Sequence, residues 1–319
     1  MAEIGSNIEI AADWLKKGNV VSIPTETVYG LAANALNETA VLQIFDIKKR
    51  PSFDPLIVHI SSINEIEKYT LSFPEVLKPL AALYMPGPLT LLLPKQSIIP
   101  DLVTSGLEQV AIRIPKHPLT LELLSSLDFP LAAPSANPFG YISPTSAAHV
   151  NQQLGKQIPY ILDGGDCSIG IESTIIGIEN DKIILYRLGG LSLNAIEAVV
   201  GKVQININQS SNPKSPGQIK SHYAPKKPFY IGAIQDLIFQ FKDKKIGIIS
   251  FGKKANFKQE NIVEYNLSLE GDTYEAAQNL FSTMRILDNS DIDLIITDYL
   301  PETGLGLAIN DRLQRAAAK

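Results

Sequence analysis

Lys48, Lys49 and Arg50 close a helical pattern and are followed at once by Pro51, a second proline and a short apolar strand that reaches His59. Cations in a last helical turn complement the negative end of the helix macrodipole and its unpaired carbonyls. The same cations, gathered with others in a cleft, can hold phosphate or carboxylate. Arg113 sits inside the apolar run VAIRIP, where a buried guanidinium is costly unless an anion pairs with it, and an anionic ligand is one such partner. Further polar residues stand at strand ends and turns: Thr25, Glu26 and Thr27 in IPTETVYG, Ser135 and Asn137 in APSAN, Ser143 in ISPT, Ser173 and Thr174 in IEST, and Arg187 in LYRLGG. Each also has a plain structural use. Threonine, serine and asparagine cap turns, a histidine between apolar residues is commonly a hydrogen-bonded core residue, and isolated arginines commonly pair with surface acids.

The elements that must position these residues alternate between helix and strand. Apolar residues from Ile8 to Lys17 recur at helical spacing and stop at Gly18, and NVVSIP reads as a buried strand. Asn37 can cap a helix running to about Arg50, where Pro51 ends it, and PLIVHI makes the next strand. FPEVLKPLAALY reads as a helix before the strand PLTLLLP, and QVAIRIP as a strand before the helix PLTLELLSSL. The strand PLAAP precedes a helix starting near Thr145; YILDGG, STIIGI and KIILYRLG are strands, and NAIEAVVG is a helix. From about Gln209 to Pro228 the chain turns rich in Ser, Pro and Lys without an apolar period, as a linker does. Beyond it FYIGAI, KIGIISFG, NIVEYNL and DIDLIITDYL alternate with helical segments and predict a small parallel sheet. The expected division is 1–208, 209–228 and 229–319. GLGLAI lacks the third glycine of a dinucleotide fingerprint and reads as a glycine-eased helix start.

At 319 residues and 45% apolar content the chain can fill two cores. A net charge of -5 disfavours a general polyanion-binding surface and leaves room for one local basic pocket. The single cysteine, Cys167, excludes an intrachain disulfide and cysteine-cluster metal sites and fits a reducing cytoplasm. Glu3, Glu9 and Asp13 break up the start of the chain and no basic segment leads into an apolar run, so neither a signal peptide nor a membrane span is expected and the protein is placed in the cytoplasm. No phosphate loop, HExxH pair, EF-hand loop or GxSxG elbow is present.

PTETVYGLAANA, KKRPSFDPLIVHI, PGPLTLLL, VAIRIPKHP, APSANPFGYISPT, ILDGG, GIESTII and YRLGG occur in an order that resembles the threonylcarbamoyl-AMP synthases of the YrdC type, and SPGQIKSHYAP with the tail resembles the linker and extra domain of the long form. The resemblance covers practically the whole chain. It implies a twisted, open mixed α/β sheet with a concave basic cavity and a smaller Rossmann-like α/β domain behind it. It further implies a nucleotidyltransferase that joins L-threonine, bicarbonate or CO2 and ATP into threonylcarbamoyl-adenylate and pyrophosphate, with Mg2+ on the phosphates. The product would pass to the tRNA threonylcarbamoyl-transfer machinery, with no need for this chain to bind tRNA.

By the same resemblance Lys48 and Arg50 match the K-x-R pair and Ser135 and Asn137 the S-x-N pair, the expected catalytic set. Thr27, His59, Arg113, Ala133 and Ser173 are the expected threonine pocket, with Arg113 on the carboxylate. Arg50, Asp54, Gln109, Ser135, Ser143, Arg187 and Tyr223 are the expected ATP contacts. Asp54 stands where relatives have Asn and Gln109 where Thr is common. The alternatives are a double-stranded RNA-binding module of the same fold, which the net charge disfavours, and carbamoyl transfer as in hydrogenase-maturation proteins, which the missing zinc-binding cysteines disfavour.

Overall fold

The computed structural model describes residues 1–207, 222–253, 257 and 259–318. Most of the expected linker, residues 208–221, therefore lies outside the described residues. Helix Ile8–Lys16 begins where the Asn7 side chain accepts from the N–H groups of Glu9 and Ile10, and it buries Ala11, Ala12 and Leu15 along one stripe. Helix Glu38–Lys48, capped by Asn37, ends two residues short of the expected Arg50, because Lys49 turns into the left-handed region at φ 53°. That turn sends Lys48 and Arg50 inward and leaves Lys49 exposed. The single helix expected over FPEVLKPLAALY is split into a 3-10 turn, Glu75–Leu77, and a helix, Lys78–Tyr84.

Eleven strands form one mixed sheet in the spatial order Glu3–Gly5, Tyr160–Leu162, Val21–Ile23, Gly30–Asn34, Leu131–Ala132, Ile57–His59, Gln109–Arg113, Leu89–Pro94, Thr174–Glu179, Lys182–Arg187 and Gln204–Ile205. Its register places the site. Ile57 pairs with Ala111 and His59 with Arg113, while Leu92 and Thr90 of the next strand face those same two partners. Side chains alternate across a sheet with period two, so Ile57, Ala111 and Leu92 share a face with His59, Arg113 and Thr90. The apolar members pack with Ile175, Ile184 and Tyr186 as a small floor, and the polar members stand at its end. Arg187 would point the other way under strict alternation after Tyr186. A register shift between Leu185 and Arg187 sets it opposite Ile175, on the floor's own face.

The second sheet is wholly parallel, in the order Phe229–Ile231, Leu294–Thr297, Ile246–Ser250 and Ile262–Asn266. Parallel neighbours need crossover connections, here the helices Ile234–Gln240 and Thr273–Asn289. The two sheets are joined through one contiguous apolar cluster that runs from Leu188 and Leu191 to Phe281, Met284 and Leu313. Polar ties reinforce it: the Arg285 guanidinium donates to the carbonyls of Ile142 and Ser143, and the Tyr141 hydroxyl donates to Asp288 at 2.5 Å. Among the described residues no helix is long and apolar enough to cross a membrane.

Gly170 shows how closely the two parts approach. Its φ is +81°, and a Cβ there would lie 2.5 Å from the Ala277 carbonyl oxygen and the Gln278 Cα of helix Thr273–Asn289. Gly170→Ala is therefore expected to cost about 3 kcal/mol of stability or more, combining left-handed strain with a backbone collision. Gly140→Ala meets the same strain at φ +79° with nothing within 4 Å and is expected to cost only about 1 kcal/mol. Denaturant midpoints of the two variants measure the difference.

Candidate active site

A cleft, part of it open to solvent, lies at the polar end of the floor. Arg50, His59, Arg113, Ala133, Ser135, Arg187 and Tyr223 of the expected residues line it, joined by Thr25, Glu172 and His222 among others. Three arginines from distant segments thus border one cleft.

A second set of expected residues stands behind the lining and holds it. The Arg113 guanidinium donates to Glu26 and to the Thr27 hydroxyl, both at 2.8 Å. The other Glu26 oxygen accepts from the Lys116 backbone. Arg113 Nε is buried without a hydrogen-bond partner among the described residues. Thr27 in turn is hydrogen-bonded to Thr25, whose hydroxyl closes the turn on the Val28 carbonyl. Ser173 holds Arg187: its carbonyl and hydroxyl accept from the guanidinium at 2.9 and 3.0 Å, and Thr90 lies 2.7 Å from that hydroxyl. Asp54 makes an ion pair with Arg50 at 2.9 Å, while Arg50 also donates to the carbonyls of Asp54 and Pro55.

Lys48, expected in the catalytic set, lies behind the lining. Its Nζ donates to the carbonyls of Ser135 and Asn137, each at 2.5 Å, and it is not among the residues lining the cavity. Burial first, and then the Arg50 guanidinium, push the ammonium well below the ordinary lysine range. Asn137 is also turned away, its amide donating to the carbonyls of Pro138 and Tyr141. The S-x-N turn thus presents Ser135 to the cavity, with Lys48 and Asn137 fixing its backbone. Ser143 donates to Glu172 at 2.6 Å and does not reach the lining. Gln109 pairs with Pro94 at the far end of the strand that carries Arg113. Four residues at ~3.3 Å each separate the two by roughly 13 Å, and Gln109 does not border the cavity.

Glu172, His222 and Arg312 were not singled out by the sequence reading. Glu172 carried a readable signal, an acid in the apolar stretch GIESTII, which calls for a buried cation as Arg113 calls for an anion. Burial works against its ionisation, but Arg312, Arg187 and the Ser143 hydroxyl outweigh it and hold the carboxyl below the usual range. Arg187 is pushed down to about 10 by burial and stays charged at neutral pH.

His59 and His222 are both lowered to about 3, chiefly by burial; Arg113 adds to the effect on His59, and the cations Arg50 and Lys48 add to it on His222. A base whose folded value lies below its unfolded value of 6.5 takes up its proton only on unfolding. Stability from these groups is therefore complete above about pH 6.5 and is lost as pH falls from there toward about 3. In denaturant titrations across that window, His59→Gln is expected to flatten the pH dependence by up to one proton, about 1.4 kcal/mol per pH unit. An unchanged slope contradicts the assignment.

Comparison with known proteins agrees with this geometry. A family model described as "Telomere recombination" (Sua5, YciO, YrdC) matches residues 13–189, and one described as "Threonylcarbamoyl-AMP synthase, C-terminal domain" matches residues 191–318. The chain is 40% identical to the threonylcarbamoyl-AMP synthase of Pyrococcus abyssi over 97% of this chain and 94% of that one. It is 42% identical to the Bacillus subtilis protein of the same name over 96% and 92%. The crystal structure of P. abyssi Sua5 complexed with L-threonine superposes with a TM-score of 0.91 at 39% identity, covering 99% of this chain and 97% of that one. The collinear motifs, the paired sheets and the arginine-lined cavity have one explanation: this chain belongs to the threonylcarbamoyl-AMP synthase family.

Proposed function

We propose that the cavity joins L-threonine, bicarbonate or CO2 and ATP into threonylcarbamoyl-adenylate and pyrophosphate. The observation that carries this reading is the convergence of Arg50, Arg113 and Arg187 on one cleft also lined by His59, Ser135 and Tyr223. Threonine's amine, carboxylated to a carbamate, attacks the α-phosphorus, and the bond to the departing pyrophosphate breaks. Negative charge builds on the leaving group, and guanidinium groups already oriented by Asp54 and Ser173 counter it without reorganising. Arg113, braced by Glu26 and Thr27, takes the amino-acid carboxylate beside His59 and Ala133. Arg50, Ser135, Arg187 and Tyr223 take the nucleotide. Lys48, Asn137, Thr27, Ser173, Ser143 and Asp54 act as positioning residues behind them.

Mg2+ enters this reading with ATP, as the counter-ion of its phosphates. The carboxylates beside the cavity, Glu26, Asp54 and Glu172, are each already paired with an arginine, and no group of three metal-ligating side chains occurs among the described residues. The adenylate goes on to the machinery that places threonylcarbamoyl on tRNA in the cytoplasm. Residues 1–208 form the catalytic part, 209–228 the linker and 229–319 the C-terminal domain; Tyr223, buried against Phe281 with ring centroids 5.3 Å apart, covers the labile mixed anhydride against water. The arginines that line this cleft are buried rather than spread over a surface on which a duplex could lie, so the RNA-binding alternative gains nothing from the geometry.

Pyrophosphate release provides the test. It is expected only when ATP, threonine and bicarbonate are all supplied, and release that continues at full rate without threonine or without bicarbonate overturns the reading.

A further inference from the structure

We infer that Arg312, on the last helix of the C-terminal part, is a positioning residue of the ATP site that acts through Glu172. The inference rests on the nucleotide reading given above. Helix Gly306–Ala317 buries Asp311, Arg312 and Arg315, and Arg312 is fully buried. Charged side chains in such a position need partners. Arg312 finds its principal one 140 residues away, donating from Nε and Nη2 to a single Glu172 oxygen at 3.2 and 3.1 Å. Its Nη1 donates to the Leu188 carbonyl at 2.5 Å, next to Arg187. Its guanidinium also lies 5.5 Å from the centroid of the Tyr223 ring. Glu172 and Tyr223 both line the cavity.

Glu172 is the acid among the residues that line a space otherwise faced by Arg50, Arg113 and Arg187. Left alone, its carboxylate would repel a triphosphate and compete with it for Arg187. Arg312 neutralises it from behind and leaves its second oxygen to hold the Ser143 hydroxyl. The C-terminal part thereby sets the charge of the nucleotide site without touching the nucleotide. Losing Arg312 leaves a buried carboxylate without its ion-pair partner facing phosphate, whereas losing both members of the pair removes that charge.

Calorimetric titration of the full chain with ATP and, separately, with L-threonine tests this independently of turnover. Arg312→Met is expected to weaken ATP binding about tenfold or more while threonine affinity stays within about twofold. Arg312→Lys, which keeps the charge, retains most of the ATP affinity. Glu172→Gln in the Arg312→Met background restores most of what the single change removed, and this double variant keeps the question answerable if Arg312→Met alone does not fold. A folded Arg312→Met with unchanged ATP affinity overturns the inference. So does equal weakening toward both ligands, or a double variant that binds ATP no better than Arg312→Met or, where that variant is unfolded, far more weakly than the native chain. A native chain that binds no ATP overturns instead the nucleotide reading on which the inference stands.

Discussion

Replacing Arg50 by alanine is expected to lower kcat/KM for ATP by about 10²–10³-fold, the loss associated with removing one preorganised donor from a developing negative charge. Replacing Lys49, one residue away, is expected to change it less than about twofold. The contrast follows from the left-handed turn at Lys49, which separates neighbouring cations into one that lines the cavity and one exposed to water. Helix-end electrostatics alone would make the two changes similar and small, a few tenths of a kcal/mol each. Steady-state kinetics on both variants, with denaturation curves to show that each folds, separates the explanations. Arg50→Ala also strips Asp54 of its ion-pair partner, so some loss of stability is expected beside the loss of rate.

Changing Arg113 is expected to act on threonine rather than on ATP. Arg113→Lys retains the charge beside Glu26 but loses the planar fork, and threonine KM is expected to rise at least tenfold with ATP KM little altered. Arg113→Ala goes further: it leaves Glu26 buried without a counter-charge, and a stability cost of about 3–5 kcal/mol accompanies the loss of threonine binding. Kinetics with each substrate varied in turn, set beside denaturant midpoints, resolves the two effects. If threonine and ATP KM rise together in Arg113→Lys, the carboxylate role is wrong.

Arg113 also shows what was legible in the sequence. A cation inside VAIRIP announces a buried charge; a protein anion is found there, and Arg113 also lines the cleft. The alternation of strand residues carried the fold in the same way, because period-two patterning and glycine or proline boundaries are local properties. Lys48 could not be read so far. Whether its ammonium met phosphate or the carbonyls of Ser135 and Asn137 depends on where a turn nearly 90 residues later is placed, and no local signal encodes that. Arg187 owes its direction to a one-residue register shift that alternation alone would misjudge. In GLGLAINDRLQRAAA, Asp311, Arg312 and Arg315 look like the solvated face of an amphipathic helix; their burial follows from the docking of one sheet against the other. Asp54 and Gln109 departed from the expected residue types, and neither lines the cavity: Asp54 braces Arg50, and Gln109 lies at the opposite end of its strand.

In the proposed reaction one cleft brings a nucleoside triphosphate to a carboxylated threonine. Incubation of the chain with ATP, L-threonine and ¹³C-bicarbonate, followed by mass analysis, tests it most directly. The expected product is an adenylate carrying one heavy carbon in a threonine carbamate, formed in equal amount with pyrophosphate and about 10²–10³-fold more slowly in Arg50→Ala. An adenylate with no label, or label that enters product equally well in Arg50→Ala, contradicts it.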